Sequence, residues 1–206
     1  STGIFNQRCT DLMKTTVSGC TIEASWRGID WRDNEGSGSM KATGNFIYMT
    51  GNVFGVGIET REQNQFGLAR YEIDYNYISL TTASGGINVS TSYKPIIRCN
   101  IIEQYQNNSL LSNMTGVRIL GSPDAVVFRN EVISFTSGTT GILNNVGTNS
   151  HLICNKVKNQ TTGIRFDGVC DVQNEIKGNE MDNCLLGLQY SGSAITGVQD
   201  QMGNKW

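Results

Sequence analysis

Two acidic side chains, Asp30 and Glu59, occupy the same place in two copies of one short phrase and could act on a common ligand. Each directly follows a Gly-Ile pair. Two carboxylates held close together push the pKa of one of them upward, which suits glycoside hydrolysis through a covalent intermediate. Asp33 and Glu62 repeat the spacing three residues later. The four oxygen-bearing side chains could therefore also bind a calcium ion.

A simpler interpretation exists for the same carboxylates. Like charges that share a hydrated surface can turn away from each other into solvent, with no ligand between them. Both interpretations require the chain to bring successive copies of the phrase side by side. The arrangement of the strands that carry Asp30 and Glu59 therefore determines which interpretation holds.

The Gly phrase recurs along the chain with spacings of 29, 29, 30, 25, 22 and 24 residues. Its seven copies are Gly28-Ile29, Gly57-Ile58, Gly86-Ile87, Gly116-Val117, Gly141-Ile142, Gly163-Ile164 and Gly187-Leu188. An asparagine precedes the Gly in six of them, at Asn45, Asn76, Asn100, Asn130, Asn155 and Asn179, and Cys20 takes its place in the first. Self-similarity of this period indicates a stacked-repeat protein.

Apolar residues hold two fixed positions around this asparagine. Three residues before it stand Val17, Ala42, Ile73, Ile97, Val127, Leu152 and Ile176, and two residues after it stand Ile22, Ile47, Ile78, Ile102, Val132, Val157 and Met181. One copy cannot bury this apolar surface alone, whereas stacked copies can at the strand spacing of about 4.8 Å. The pattern predicts a right-handed parallel β-helix of about seven coils, as one domain over residues 1–206. The asparagines would stack as a structural ladder at a turn.

Alternation along the strand that follows each Gly assigns its side chains to faces. Residues one and three places after the Gly are predicted to face inward, and the residue two places after it outward. The outward column reads Asp30, Glu59, Asn88, Arg118, Leu143, Arg165 and Gln189. Adjacent coils would bring Asp30 within roughly 5 Å of Glu59, and Arg118 in the same column is a candidate ligand-binding residue. By the same parity, the residue before each Gly, such as Arg27, is predicted to face inward.

Aromatic residues are concentrated in the N-terminal half, where the coils are longest. Those at predicted outward or loop positions are Trp26, Tyr48, Phe66, Tyr71, Tyr75, Tyr77 and Tyr105. Aromatic faces stack on sugar rings, and Tyr75 and Tyr77, which flank Asn76, are candidate ligand-binding residues. The alternative is that these rings belong to the core.

Composition narrows the classes of partner. Charged residues make up 17% of the chain and the net charge is −2, so nucleic acid is not an expected partner. No apolar run is long enough to predict membrane insertion. Six dispersed cysteines and a single histidine do not predict a zinc site, and we expect no cofactor other than the calcium already named. Cys9 with Cys20, and Cys170 with Cys184, are conceivable disulfide pairs.

The repeat unit, as in Asn155-Lys156-Val157 followed by Thr162-Gly163-Ile164, resembles the coils of the pectate-lyase-like β-helix superfamily. The segment Gly197–Trp206 is similar to sequences that follow β-helix arrays in large surface proteins of the type IX secretion class. These resemblances imply a secreted or cell-surface location and a chain that is part of a longer protein. They imply no particular activity, because the Asn-Thr-Asp, Asp-Asp, Gly-His-Gly and Arg-Ile-Lys motifs of the related hydrolases are absent.

Three functions fit the sequence. We expect a non-catalytic extracellular module with a structural, adhesin-like or glycan-binding role, whose partners are glycans or other domains of a larger surface protein. A polysaccharide lyase or glycoside hydrolase with its site at Asp30 and Glu59 is the first alternative, and an oligomeric β-helix like a phage tailspike is the second. The flanks, residues 1–16 and 195–206, are too short for much capping of the rod, so we expect neighbouring domains or another subunit to cover its ends.

Overall fold

The computed structural model describes residues 2–7, 14–32, 38–50, 54–61, 70–81, 85–104, 114–135, 138–197 and 203–206. The described chain consists of strands and turns without a helix, and no part of it could span a membrane as a helix. It winds through three parallel sheets in strict rotation and places one strand in each sheet per turn. The predicted all-β parallel β-helix is confirmed.

Strands are numbered in chain order. The first sheet contains β1 (Thr2–Gln7), β4 (Arg27–Arg32), β7 (Val56–Arg61), β10 (Gly85–Ser90), β13 (Thr115–Leu120), β16 (Thr140–Asn145), β19 (Thr162–Asp167) and β22 (Leu186–Ser191). The second contains β2 (Lys14–Ser18), β5 (Ser39–Thr43), β8 (Arg70–Asp74), β11 (Ile96–Arg98), β14 (Val126–Phe128), β17 (His151–Ile153) and β20 (Glu175–Lys177). The third contains β3 (Thr21–Ala24), β6 (Phe46–Met49), β9 (Tyr77–Leu80), β12 (Ile101–Gln104), β15 (Glu131–Ile133), β18 (Lys156–Lys158) and β21 (Glu180–Asp182).

The solenoid makes about six turns rather than the seven predicted. The difference arises because the sequence pattern counts strands, whereas a turn is the step from one strand to the next in the same sheet. Seven strands in the second and third sheets are therefore separated by six full turns.

The core is the stack of apolar residues that the repeat predicts. All fourteen residues at the two fixed positions around the asparagine column are buried, and so are the Ile or Val residues that follow the Gly in the first six copies. The parallel register places each on its counterpart one turn away, as for Ile73 against Ile97 and Ile78 against Ile102. Burial of this stack stabilises each turn against its neighbours, since a single turn has no core of its own.

The asparagine column forms a continuous hydrogen-bonded ladder at the corner between the second and third sheets. The Oδ1 atom of Asn100 accepts bonds from the backbone N–H of Asn76 at 3.0 Å and from its Nδ2 at 2.9 Å, and Asn130 does the same for Asn100. The Nδ2 of Asn100 also donates to the carbonyl of Ile73 at 2.8 Å. The corner thus satisfies buried backbone groups that no sheet pairs.

Left-handed backbone occurs at the residue before each ladder position. That residue has a positive φ, while the ladder asparagines do not. The position is occupied by a glycine at Gly19, Gly44, Gly178 and Gly203. In the other copies it is occupied by Tyr75, Cys99, Arg129 and Cys154, with φ between 53° and 55°. The residue before each asparagine therefore turns the chain, and the asparagine side chain forms the hydrogen bonds at that corner.

The Gly of each phrase is required by close packing and not by its φ. A Cβ atom on Gly86 would lie 2.6 Å from Cγ2 of Ile102 and 2.6 Å from the carbonyl oxygen of Gly116. Equivalent contacts recur at Gly57, where Ile78 of the next turn approaches within 2.6 Å. The first sheet can approach the third only where the side chain is missing.

Both flanks extend the solenoid further than the sequence analysis predicts. Gly3-Ile4 lies in β1 and pairs with β4, which adds an eighth copy of the Gly phrase. At the other end, Asn204 accepts the ladder bond from Asn179 at 3.1 Å, and the ring of Trp206 lies over Gly187. The flanks are therefore not too short to pack against the terminal turns.

The predicted Cys170–Cys184 disulfide is wrong. Both residues are free thiols. Cys170 lies at the corner that follows β19, and Cys184 lies at a different corner, between β21 and β22. Cys9 lies outside the described residues, and its predicted partner Cys20 is a free thiol.

We expect Asn100→Ala to lower the free energy of unfolding by about 3 kcal/mol, because it leaves several buried donors and acceptors without partners. Urea unfolding monitored by circular dichroism measures the change. Gln173→Ala removes an exposed side-chain amide and is the control, with an expected change within about 0.5 kcal/mol. Equal effects of the two substitutions would show that the ladder does not stabilise the fold.

Candidate functional site

Asp30 on β4 and Glu59 on β7 lie side by side, as the repeat predicts. They are register partners in the first sheet, and Asn88 on β10 follows Glu59 in the same column. Unlike the exposed carboxylates that the sequence suggests, each residue keeps only 1% of its surface accessible. The interpretation in which these charges spread into solvent is therefore wrong.

Three arginines surround the two carboxylates. Arg32 forms a bidentate pair with Asp30, with distances of 2.9 Å from Nε to Oδ1 and 2.7 Å from Nη2 to Oδ2. Arg27 donates from Nε to Oε2 of Glu59 and lies 3.9 Å from Oδ2 of Asp30. Arg61 binds Oε1 of Glu59 at 3.2 Å. We call these five residues the arginine–carboxylate cluster.

All four carboxylate oxygens of the cluster accept a hydrogen bond. Asn88 supplies a further donor, with its Nδ2 atom 3.1 Å from Oε1 of Glu59. A substrate or metal ion would therefore have to displace a guanidinium or amide group before it reached either carboxylate. Charge-assisted bonds of this kind are the stronger class of hydrogen bond, so their displacement is costly.

Arg27 reaches the cluster because alternation breaks at Gly28, where a Cβ atom would meet the core residue Ile47 although the next residue, Ile29, is also buried. Strict alternation predicts that the residue before the Gly faces inward, and this prediction is wrong. Arg27 contacts the outward residues Asp30 and Glu59, and in a later turn Thr162 donates to the outward Gln189 at 3.2 Å. The residue before the Gly and the residue two places after it therefore share the outer face.

Burial has a clear electrostatic effect on Arg27. It lowers the pKa of the guanidinium, because removal from water disfavours the charged form, and Arg32 and Arg61 act in the same direction while Asp30 opposes them. The indole of Trp26 lies 4.7 Å from the guanidinium carbon. This contact adds a cation–π attraction to the charge of Arg27.

The cluster does not suit the predicted calcium ion. Its two carboxylates and three arginines sum to a formal charge of +1, and calcium sites in proteins are built from anionic and carbonyl oxygens. Asp33 and Glu62, the other two predicted ligands, lie outside the described residues. Within the described residues, no three His, Cys, Asp or Glu side chains converge as a metal site would require.

The remaining candidate residues lie in different places. Arg118 is in the same outer column as Glu59, two turns away, and its Nε atom is buried without a partner among the described residues. Tyr75 is exposed at the ladder corner, and Tyr77 lies on the outer face of the third sheet, where its hydroxyl donates to Glu103 at 2.7 Å. The structure therefore does not bring the two tyrosines to Asp30 and Glu59.

The predicted aromatic residues divide between core and surface. Tyr71 is fully buried, with its ring centroid 6.1 Å from that of Trp31, and belongs to the core. Trp26, Tyr48 and Tyr75 are exposed, while Phe66 and Tyr105 lie outside the described residues. Phe46, which the sequence analysis does not single out, packs against Tyr77 on the outer face of the third sheet.

The sequence carries a signal for the arginine partners of the two acids. Arg32 and Arg61 each stand two residues after their acid, in Asp30-x-Arg32 and Glu59-x-Arg61. Residues two apart on a strand share a face, so the acid and the arginine must meet. The same columns hold Arg165 and Asp167, with the charges exchanged and an ion pair at 3.1 Å. The recurrence is typical of a structural ion pair.

Comparisons with known proteins identify no relative of this chain. No protein-family model matches it, and searches of curated proteins and of solved structures give no match.

We expect Glu59→Gln to destabilise the fold by about 3 kcal/mol, since it leaves the buried Arg27 without its closest counter-charge. Arg61→Ala, which removes a half-exposed partner of the same carboxylate, should cost less than about 1 kcal/mol. Chemical denaturation of both variants beside the wild type measures the difference. If Glu59→Gln were as stable as the wild type, Glu59 would not hold the cluster together.

Proposed function

We propose that the chain is a non-catalytic β-solenoid module of a secreted or cell-surface protein, with a structural, adhesin-like role that includes glycan binding. The observation that carries this proposal is the arginine–carboxylate cluster. The only paired carboxylates of the outer Gly-strand column in the described residues are buried, and all four of their oxygens are bound. A pair held in this way supports stability more readily than acid–base chemistry, which needs a carboxyl group in reach of the substrate.

The secreted location and the larger protein context rest on sequence resemblance. The repeat phrase supports a scaffold of the pectate-lyase-like superfamily, and residues 197–206 support a segment of a type IX-secreted surface protein. The rod itself supports a modular role, because a solenoid exposes extended outer faces while its core stays closed.

A polysaccharide lyase or glycoside hydrolase is the first alternative. The convergence of Asp30, Glu59 and Arg27 favours it, since two carboxylates and a guanidinium at one place could serve catalysis. This enzyme would have to open the cluster when it bound its substrate.

An oligomeric, tailspike-like β-helix is the second alternative. The outer face of the third sheet favours it, because Phe46 and Tyr48 on β6 and Ile101 on β12 are exposed there, with the half-buried Tyr77 of β9 between Phe46 and Ile101. Exposed apolar residues in a continuous patch are typical of interaction surfaces. Sedimentation of the purified chain distinguishes this alternative, which requires a stable oligomer, from the monomer that we expect.

We expect the chain to bind saccharides without releasing any product. A glycan array measures binding, and assays for new reducing ends and for unsaturated products on neutral and acidic polysaccharides measure turnover. Product release that is abolished by Asp30→Asn and by Glu59→Gln, in variants that are still folded, would overturn the proposal in favour of the enzyme.

A further inference from the structure

A groove crosses three successive turns at the corner between the third and first sheets. It has a volume of about 680 Å³, which lies in the range of small-molecule sites. Its described lining includes Phe135 after β15, the segment Asn159, Gln160 and Thr161 between β18 and β19, and Asn183 and Leu185 between β21 and β22. The groove is remote in sequence from the arginine–carboxylate cluster, which lies on β4 and β7.

Gln160 is the unusual residue of this groove. Only 3% of its surface is accessible, yet neither Oε1 nor Nε2 has a hydrogen-bond partner in the described part of the chain. Buried polar side chains are nearly always hydrogen-bonded, because loss of water without a replacement partner is costly. A side-chain amide offers two donors and an acceptor, so Gln160 is prepared to bind a group that both accepts and donates.

The polar residues around Gln160 are already held in place by the fold. Asn183 donates from Nδ2 to Oδ1 of Asn159 at 2.9 Å, and the Thr161 hydroxyl accepts from the backbone N–H of Gly138 at 2.5 Å. The backbone carbonyl of Gln160 accepts from Leu185 at 3.1 Å. These bonds fix the walls of the groove and leave the Gln160 amide as its unsatisfied polar group.

The walls also present apolar surface to solvent. Phe135 is 54% exposed and Leu185 is 80% exposed. An exposed aromatic ring beside fixed amide and hydroxyl groups matches the two surfaces of a pyranose, whose C–H face is apolar and whose edge carries hydroxyl groups.

The groove carries no formal charge on its described lining residues. Cys184 is the one titratable group among them, and burial raises the pKa of its thiol, so it stays protonated at neutral pH. A charged ligand would lose its hydration here without gaining an opposite charge, so a neutral ligand is favoured.

We infer that this corner groove binds a neutral sugar residue, which stacks on Phe135 and pairs a hydroxyl or acetamido group with the buried amide of Gln160. The inference rests on the glycan-binding part of the proposed function and gives it a location. The groove lies in the compact C-terminal turns, whereas the aromatic residues predicted from the sequence to bind a ligand lie in the longer N-terminal coils.

The test compares the wild-type chain with Gln160→Met, which keeps the length of the side chain and removes its hydrogen bonds. Binding to neutral hexose, N-acetylhexosamine and uronic-acid oligosaccharides is measured on an array and then by calorimetry. We expect neutral sugars to bind, and Gln160→Met and Phe135→Ala each to weaken binding by about tenfold or more. Gln173→Ala, which changes an exposed amide outside the groove, should bind as the wild type does. Stronger binding of N-acetylhexosamine than of hexose assigns the amide contact to the acetamido group, and equal binding assigns it to a hydroxyl; either supports the inference.

Thermal unfolding gives a second readout that needs no sugar. If the amide of Gln160 has no partner within the fold, Gln160→Met should be as stable as the wild type or more stable, because an apolar group replaces an unsatisfied one. A marked loss of stability would show that the amide is paired inside the chain and would overturn the inference.

The failures of the two proposals can be told apart. Sugar binding that is unchanged in Gln160→Met and Phe135→Ala would overturn the groove and leave the proposed function standing. Binding of uronic-acid oligosaccharides alone would also overturn the groove, because its lining is neutral. If no saccharide bound at all, the groove and the glycan-binding role would fail together.

Discussion

The side-chain amide of each ladder asparagine is the interaction on which the turns of this protein depend. At the corner between the second and third sheets, the ladder side chains bond backbone groups that would otherwise be buried without a partner. The residue before the asparagine turns the chain with a positive φ, and the asparagine then donates to Oδ1 of the next ladder asparagine from both its backbone N–H and its Nδ2. Because Oδ1 receives the backbone and side-chain donors of the preceding turn, the height of each turn is fixed to that of its neighbour.

The second constraint is the Gly at the start of the first-sheet strand. It lets β-branched residues of the third sheet approach the strand closely. Because the Gly and the residue after it both face the core, the residue before the Gly faces outward. Arg27 thereby contacts Asp30 and Glu59. The close packing at the Gly in the core therefore positions one member of the arginine–carboxylate cluster on the outer face.

The sequence predicted the parts of the fold that repeat with one residue type. The asparagine column, the two apolar columns and the pairing of Asp30 with Glu59 all follow from a fixed spacing. The position of Arg27 could not be predicted by alternation, because Gly28 and Ile29 both face the core and the parity is reversed before them. The copies at Gly3 and Asn204 were missed because each lies in an incomplete coil. Gln160 could not be predicted for a different reason. The equivalent corner position of the next turn holds Cys184, so this position does not repeat one residue type along the chain.

Hydrogen exchange of side-chain amides tests most directly whether the interior ladder holds the turns together. Nuclear magnetic resonance can follow the Nδ2 protons of Asn76, Asn100, Asn130 and Asn155 in deuterated water. We predict exchange slower by roughly a hundredfold or more than that of the exposed Gln173 amide, because the ladder opens only when neighbouring turns separate. Exchange of the ladder amides at the rate of Gln173 would contradict the account.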